Sequence, residues 1–114
     1  MLVLTLPMPP SVNTMFANNK GKGRGRYPTK RYKDWKFKTA LAVAGTQRPE
    51  PLDGDVRVLC TFGPRDKRRD LDNCLKAIGD FLQEHTYIVN DSQIVEWNAK
   101  WGEVEGAHVE VWAV

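Results

Sequence analysis

The sequence predicts a single α+β domain in which two helices pack on a mixed sheet of about four strands. Its 114 residues have the length of one domain, and 41% of them are hydrophobic, including four Trp and four Phe that can fill a core. Strand-like and helix-like segments follow one another in the order β, α, β, α, β, β. Neither an internal repeat nor a linker divides residues 1–114, so we expect one domain.

The first two predicted elements are a strand and a helix, separated by a loop. The apolar run LVLTL is typical of a strand and ends at Pro7. The segment ANNKGKGRGRYPTK interleaves glycines with Lys and Arg, which predicts a mobile loop. Three- and four-residue spacing of core-type residues then predicts a helix that ends near Gly45. The predicted stripe of this helix consists of Tyr32, Trp35, Thr39 and Val43.

The second half of the chain predicts a strand, a helix and a β-hairpin. The strand alternates along its length, ends at Gly63, and has an inner face made of Val56, Val58, Cys60 and Phe62. The helix that follows has a predicted apolar stripe made of Leu71, Leu75, Ile78 and Leu82. Residues 93–101 and 107–114 are rich in β-formers and flank GEVEG, which predicts a hairpin. One face of this hairpin is predicted to carry Val109, Val111 and Ala113.

Positive charge is concentrated in one half of the chain. The formal net charge is only +3, but residues 20–38 carry nine Lys or Arg against the single Asp34. Residues 84–114 carry six acids against the single Lys100. Any one of these cations has an ordinary interpretation as part of a solvated face. As a block they favour polyanion binding, because clustered Lys and Arg release counterions from a phosphate backbone.

Membrane, secreted and zinc-binding classes have little support. No apolar run approaches the roughly 20 residues of a membrane span, and MLVLTLPMPP lacks the basic start and cleavage site of a signal peptide. Cys60 and Cys74 lack C-x-x-C spacing, so neither a disulfide framework nor a zinc site is predicted. We expect two reduced, buried thiols in a cytoplasmic protein.

Three acidic residues form a candidate metal site. Asp70 and Asp72 stand at the start of the second predicted helix, and Asp91 lies on a predicted turn that can face this start. Mg²⁺ takes oxygen ligands and is usually held by one or two protein carboxylates, with water and substrate phosphate completing its shell. The acids also have structural interpretations. Asp70 fits a helix cap, and Asp72 fits an i,i+4 pair with Lys76. Asp91 fits a turn former after Asn90.

These residues carry a resemblance to a known family. DLDNCLKAIGDFL followed by VNDSQI, with the early PPSVN after the first strand, resembles the RusA family of Holliday junction resolvases. The resemblance implies that Asp70, Asp72 and Asp91 are catalytic, metal-binding acids. It also implies that Lys76 is the basic residue needed for cleavage. Many members have Asp-Asp where this chain has Asn90 before Asp91, so one charge is missing here.

The resemblance further implies an activity and its partners. Family members are Mg²⁺-dependent homodimers that cut four-way DNA junctions by paired symmetrical nicks. For this chain we expect Mg²⁺ as the cofactor, with Mn²⁺ able to substitute for it. Neither an organic cofactor nor a membrane partner is expected. Carboxylate-held Mg²⁺ can orient water, neutralise phosphoryl charge and stabilise the leaving oxygen. We expect neighbouring cations to hold the DNA, and the predicted contacts are Lys20, Lys22, Arg24, Arg26, Lys67, Arg68 and Arg69.

A second class of function is a non-catalytic dimer that binds junctions or single strands. It would need only the basic block and aromatics that stack on exposed bases, namely Tyr27, Tyr32 and Trp35. Tyr32 and Trp35 also lie on the predicted apolar stripe, where they would pack in the core. A metal-dependent phosphatase acting on small substrates fits the basic block poorly.

The predicted hairpin offers one surface for dimerisation. Its candidate residues are Val95, Trp97, Ala99 and Trp101 on one face, with Trp112 on the partner strand. The alternative is that these Trp residues cover the sheet beneath the helices.

Overall fold

The computed structural model describes residues 1–18 and 25–114, and it confirms the predicted α+β fold. In chain order the elements are β1 Leu2–Leu6, β2 Phe16–Asn18, β3 Arg26–Pro28, α1 Lys30–Val43, β4 Val56–Gly63, α2 Leu75–Glu84, β5 Ile94–Trp101 and β6 Gly106–Ala113. Short 3₁₀ turns lie at Val12–Thr14, Leu71–Cys74 and Asp91–Gln93. None of the helices in the described ranges is long and apolar enough to cross a bilayer.

The main sheet has the strand order β1-β6-β4-β5, and this order corrects the predicted hairpin. β6 pairs antiparallel with both β1 and β4, whereas β5 pairs in parallel with β4. β4 therefore lies between the two runs that were predicted to pair with each other. The parallel pair follows from the intervening α2, which makes a β-α-β crossover from β4 to β5.

Gly63, at the end of β4, explains how the chain passes from β5 to β6. The connection at residues 102–105 crosses the end of β4, where the Gly102 N–H donates to the carbonyl of Phe62 at 2.9 Å. A Cβ on Gly63 would collide with the backbone carbonyl oxygens of Gly102 and Val104. The absence of a side chain at Gly63 lets this connection lie directly over the strand end.

One core joins both helices to the sheet. The predicted stripe of α1 is confirmed, because its four members are the buried residues of that helix, namely Tyr32, Trp35, Thr39 and Val43. In α2, Ile78 and Leu82 are buried as predicted, together with Ala77, Gly79 and Phe81. Leu71 and Leu75 are only partly buried, because they lie at the edge of the core where the 3₁₀ turn enters α2. The inner face of β4 is confirmed, and it packs with Val109 and Val111 of β6, whereas Ala113 is exposed.

Two strands lie within the described parts of the segment predicted as a mobile loop. β2 and β3 pair antiparallel, so the loop prediction for residues 17–30 is wrong where these strands form. Thr29 then caps α1, since its hydroxyl oxygen accepts from the Tyr32 N–H at 3.2 Å and its hydroxyl donates to the carbonyl of Thr14 at 2.6 Å. The predictions for Lys20, Lys22 and Arg24 lie outside the described residues.

Both cysteines are buried and free, as predicted. Burial raises the pKa of Cys60 to about 12, and burial also raises the pKa of Cys74. Both thiols are protonated at neutral pH, so neither is a candidate nucleophile.

Gly79 provides a test of packing between α2 and β5. A Cβ at this position would lie 3.5 Å from the Trp97 ring and 4.0 Å from Ile94 Cδ1, which are ordinary contacts. Because glycine inside a helix costs about 0.8–1 kcal/mol relative to alanine, we expect Gly79→Ala to raise the free energy of unfolding by about 0.5–1 kcal/mol. Urea denaturation measures the change. Gly63→Ala is the matched control and should lower the same quantity, and a lower value for Gly79→Ala would show that Trp97 does not accept the methyl group.

Candidate active site

Asp70 and Asp72 lie at the entrance to α2, where the chain changes from an extended to a helical conformation. Asp70 occupies the N-cap position of the 3₁₀ turn Leu71–Cys74, with φ −93° and ψ 135°, and its side chain makes no capping hydrogen bond. The capping interpretation of Asp70 is therefore wrong. Asp72 lies in the first turn, and both carboxylates are exposed. Neither pairs with another described residue, so both are available to an external ligand.

Lys76 is held by Asp80 and not by Asp72. Lys76 Nζ lies 3.1 Å from Asp80 Oδ1, which contradicts the alternative pairing with Asp72. The other carboxylate oxygen of Asp80 accepts a hydrogen bond from the Tyr32 hydroxyl at 3.2 Å. Burial, followed by the nearby Asp80 charge, raises the pKa of Tyr32, so this hydroxyl remains a donor. The ammonium of Lys76 is thereby connected through Asp80 to the buried face of α1.

Asn90 has a defined structural use that does not require a charge. Its side-chain oxygen accepts from the Ser92 N–H at 2.8 Å and caps the 3₁₀ turn Asp91–Gln93. The Gln93 side chain completes a capping box, accepting from the Asn90 N–H at 3.0 Å. An amide oxygen caps as well as a carboxylate does, so the exchange of Asp for Asn preserves the turn.

Asp91 is positioned by two glutamines that the sequence interpretation missed. The Asp91 N–H donates to Gln83 Oε1 at 2.9 Å, which ties the turn to α2. Gln93 donates from Nε2 to the carbonyls of Leu52 at 2.9 Å and Gly54 at 2.7 Å, which anchors the turn to the loop before β4. The Asn-x-x-Gln spacing of the capping box is the sequence signal for Gln93. The contact of Gln83 has no local signal, because it joins residues on different elements.

Lys76 and Asp91 share a small cavity between α2 and β5. The cavity has a volume of about 190 Å³, and its remaining lining is Leu75, Gly79, Ile94 and Trp97. Asp70 and Asp72 do not line it, although they precede Lys76 by only six and four residues along the chain. Within residues 1–18 and 25–114, no group of three acidic, His or Cys side chains is arranged to hold a metal ion. The structure thus brings Lys76 and Asp91 together and leaves the two other acids at the helix entrance.

The donor set fits a hard divalent cation in kind and number. All three candidate side chains are exposed carboxylates, and oxygen is the ligand that Mg²⁺ prefers. Two carboxylates at one helix entrance satisfy the usual protein contribution to a Mg²⁺ site, since water and phosphate oxygens supply the remaining positions. The metal role of Asp70, Asp72 and Asp91 stays a prediction.

The cations before Asp70 differ in their surroundings. Lys67 is exposed, and Arg68 is exposed with its Nε 3.1 Å from Asp66 Oδ1. The hydrogen bond from Arg68 holds the pKa of Asp66 below its usual value. Arg69 is half-buried, and its guanidinium donates to the carbonyl of Pro9 and to Cys74 Sγ. Arg69 therefore braces the helix entrance, while its predicted contact with DNA stays a prediction.

The structure separates the aromatic residues that were predicted to stack on bases. Tyr32 and Trp35 are buried in the core, and Trp35 Nε1 donates to the carbonyl of Pro7 at 2.9 Å. Tyr27, on β3, is 50% exposed. Arg26 is exposed beside it and lies 5.3 Å from the Phe16 ring. Of the three aromatic residues predicted to stack on bases, Tyr27 on the β2-β3 ribbon is therefore the one that is exposed beside a cation.

The tryptophans do not form one common surface. Trp97 is paired across the sheet with Val58, on the helix-covered face, and Trp101 packs edge-on against Phe62 at 6.4 Å. Trp112 is paired with Arg57, on the opposite face, and the guanidinium lies 5.4 Å from its ring. Residues paired in register point to the same face of the sheet, and the partners Val58 and Arg57 are consecutive residues that point to opposite faces. The predicted surface that combined Trp112 with Trp97 and Trp101 is therefore wrong.

The comparisons with known proteins agree on one family. Residues 7–112 match the family model described as Endodeoxyribonuclease RusA, a range that includes all four predicted catalytic residues. The crossover junction endodeoxyribonuclease RusA of Escherichia coli (strain K12) is 32% identical over 97 residues, covering 82% of this chain and 77% of the relative. The enzyme of the same name from Enterobacteria phage 82 is 32% identical over 96 residues, with the same coverage of each chain.

Proposed function

Because the chain belongs to the RusA family of endodeoxyribonucleases, we propose that it resolves four-way DNA junctions by Mg²⁺-dependent phosphodiester hydrolysis. The observation that supports this most is the exposure of the Asp70 and Asp72 carboxylates, unpaired within the described residues, at the entrance of the helix that carries Lys76. A cap or a surface ion pair would have occupied these groups. Their availability suits a ligand that arrives with the substrate.

Asp70 and Asp72 would hold the metal ion at the helix entrance, and Asp91, the third predicted ligand, would have to reach it from the cavity beside Lys76. When bound, Mg²⁺ supplies Lewis-acid stabilisation of the phosphoryl oxygens and lowers the pKa of a coordinated water. The chain's own contribution is to orient the carboxylates. Asp91 is fixed by Gln83, and Asp70 by the turn that Arg69 braces.

Lys76 would contact the scissile phosphate. Its ammonium lies at the cavity that it shares with Asp91, and Asp80 limits the directions in which it can point. A fixed cation beside a phosphoryl group stabilises the charge that develops during hydrolysis. Tyr32 in turn orients Asp80, so the position of Lys76 depends on the packing of α1 against α2.

The proposed active species is a homodimer. A four-way junction has approximate two-fold symmetry, and its resolution into two ligatable duplexes requires one nick in each of two like strands. One chain carries one acidic cluster, whereas a two-fold pair supplies two clusters in matched positions. Light scattering at micromolar concentration measures the mass of the species independently of activity.

A cleavage assay on a synthetic four-way junction tests the function. With Mg²⁺ present, we expect nicks at symmetrical positions in two strands of like polarity, and with EDTA we expect none. Mn²⁺ should support the same pattern, and a linear duplex of the same sequence is the control. No nicking of the junction, or equal nicking of the linear duplex, would contradict the proposal.

A further inference from the structure

A large groove runs along one face of α1, and none of the residues that line it also lines the cavity shared by Lys76 and Asp91. Its volume is about 920 Å³, and it lies between α1, the N-terminal residues 7–14 and the loop residues 66–69. The floor includes three prolines and Trp35. This groove contains none of the four predicted catalytic residues. Three of its cations, Lys30, Arg31 and Lys38, belong to the basic block at residues 20–38 but were not among the individually predicted DNA contacts.

The groove has a strong excess of positive charge. Five cations line it, namely Lys30, Arg31, Lys38, Arg68 and Arg69, against the two acids Asp34 and Asp66. Both acids already have partners, since Lys30 lies 3.8 Å from Asp34 and Arg68 lies 3.1 Å from Asp66. Arg31 and Lys38 are exposed and have no ion-pair partner among the described residues. These two side chains therefore carry charge that an anionic ligand can use.

The spacing of Arg31 and Lys38 favours an extended ligand over a single anion. They lie seven residues apart on α1, which separates them by about 10 Å along the helix axis at about 1.5 Å per residue. One strand of duplex DNA has one phosphate per about 3.4 Å of axis, so this distance spans about three phosphates. A small phosphate ester would reach only one of the two side chains.

The groove leads to the candidate active site through Arg69. This residue lines the groove and directly precedes Asp70. Its guanidinium binds the carbonyl of Pro9 in the floor and Cys74 Sγ at the helix entrance. A strand that follows the groove past Arg69 therefore arrives at Asp70.

The floor offers few groups that could read a base sequence. Prolines have no backbone N–H, and the carbonyls of Pro7 and Pro9 already accept bonds from Trp35 and Arg69. Sequence is read through hydrogen bonds to base edges, whereas phosphate contacts position the nucleic acid without specifying its sequence. Of the polar side chains in the lining, Ser11 and Thr14 bond within their own turn, whereas Asn13 is exposed and could reach a base edge. The groove is therefore suited mainly to hold a backbone.

From these contacts we propose that the groove binds the sugar–phosphate backbone of one junction arm, with Arg31 and Lys38 as its principal contacts. The inference rests on the proposed function, because it names the path by which the substrate of that site is held. Arg31 and Lys38 contribute to affinity and not to the chemical step, since neither lines the cavity of Lys76 and Asp91.

The salt dependence of junction binding tests the groove. We expect the double variant Arg31→Gln/Lys38→Gln to lower the log–log slope by about 1.8, because each phosphate that a cation neutralises adds about 0.9 to the slope. Fluorescence anisotropy with a labelled junction, without Mg²⁺, measures the slope between about 50 and 200 mM salt. The matched control is Arg48→Gln/Lys100→Gln, which removes one Arg and one Lys from exposed positions outside both the groove and residues 20–38, and it should leave the slope unchanged.

Two results would overturn the inference. The first is a salt-dependence slope of the groove variant equal to that of the wild type, which would indicate that the groove binds an acidic protein partner instead of DNA. The second is an equal change of slope in both double variants, which would indicate that binding depends on the total charge of the protein and not on the groove. Single-turnover nicking at saturating protein should match the wild type if the groove acts in binding alone. If the groove variant shows the lower slope but the wild-type chain never nicks the junction, the proposed nuclease function is contradicted and the groove is still supported.

Discussion

Asp70→Asn, Asp72→Asn and Asp91→Asn should each abolish junction cleavage and leave junction binding intact or tighter. Each change removes a carboxylate charge from a metal ligand and at the same time reduces repulsion of phosphate, so chemistry and binding should separate. A loss of about 4 kcal/mol of transition-state stabilisation corresponds to about a 10³-fold lower rate. Gel-shift and nicking assays on the same preparations measure both properties.

The substitutions also distinguish the three acids from one another. Glu103→Gln is the control, because Glu103 is an exposed acid in the connection between β5 and β6. Full cleavage by any one Asp variant would remove that residue from the site. Unfolding curves should be close to those of the wild type, since none of the three side chains bonds to another described residue.

The sequence predicted the positions of the helices and strands better than it predicted which strands pair with each other. The stripe of α1 and the alternation of β4 follow from periodicity, which directly reports which side of an element is buried. Periodicity is the same for a parallel and an antiparallel neighbour, so it could not show that β5 pairs with β4. The close approach of backbones at Gly63, which lets the connection from β5 to β6 cross the end of β4, is visible only in the three-dimensional structure.

The partner of Lys76 illustrates the same limit within the site. Spacing alone allows an i,i+4 pair with either Asp72 or Asp80. Asp72 lies in a 3₁₀ turn, which has 3.0 residues per turn, so residues four apart no longer share a face. Asp80 lies inside α2 and also receives the hydroxyl of Tyr32 from another element. The tertiary contact thus selects between two pairs that the sequence made equivalent.

Lys76→Ala should lower the cleavage rate by about 10²–10³-fold with only a modest loss of binding. The change removes the cation that stabilises charge on the scissile phosphate, an effect of about 2.7–4 kcal/mol for one such group. Single-turnover rates at saturating protein isolate the chemical step. Lys33→Ala is the control, because Lys33 is an exposed helix lysine that does not line the cavity.

Asp80→Asn then tests whether the position of Lys76 matters as well as its charge. The amide still accepts from Tyr32 but loses the attraction to the ammonium, so we expect a smaller fall in rate, about 10-fold, with unchanged affinity. In a double-mutant cycle, Asp80→Asn should cost little once Lys76 is already alanine, because residues that act through each other are not additive. Additive losses would show that Asp80 acts independently of Lys76. Wild-type turnover by Lys76→Ala would reduce the pair to an ordinary ion pair on the helix surface, since its removal would then leave the chemical step unaffected.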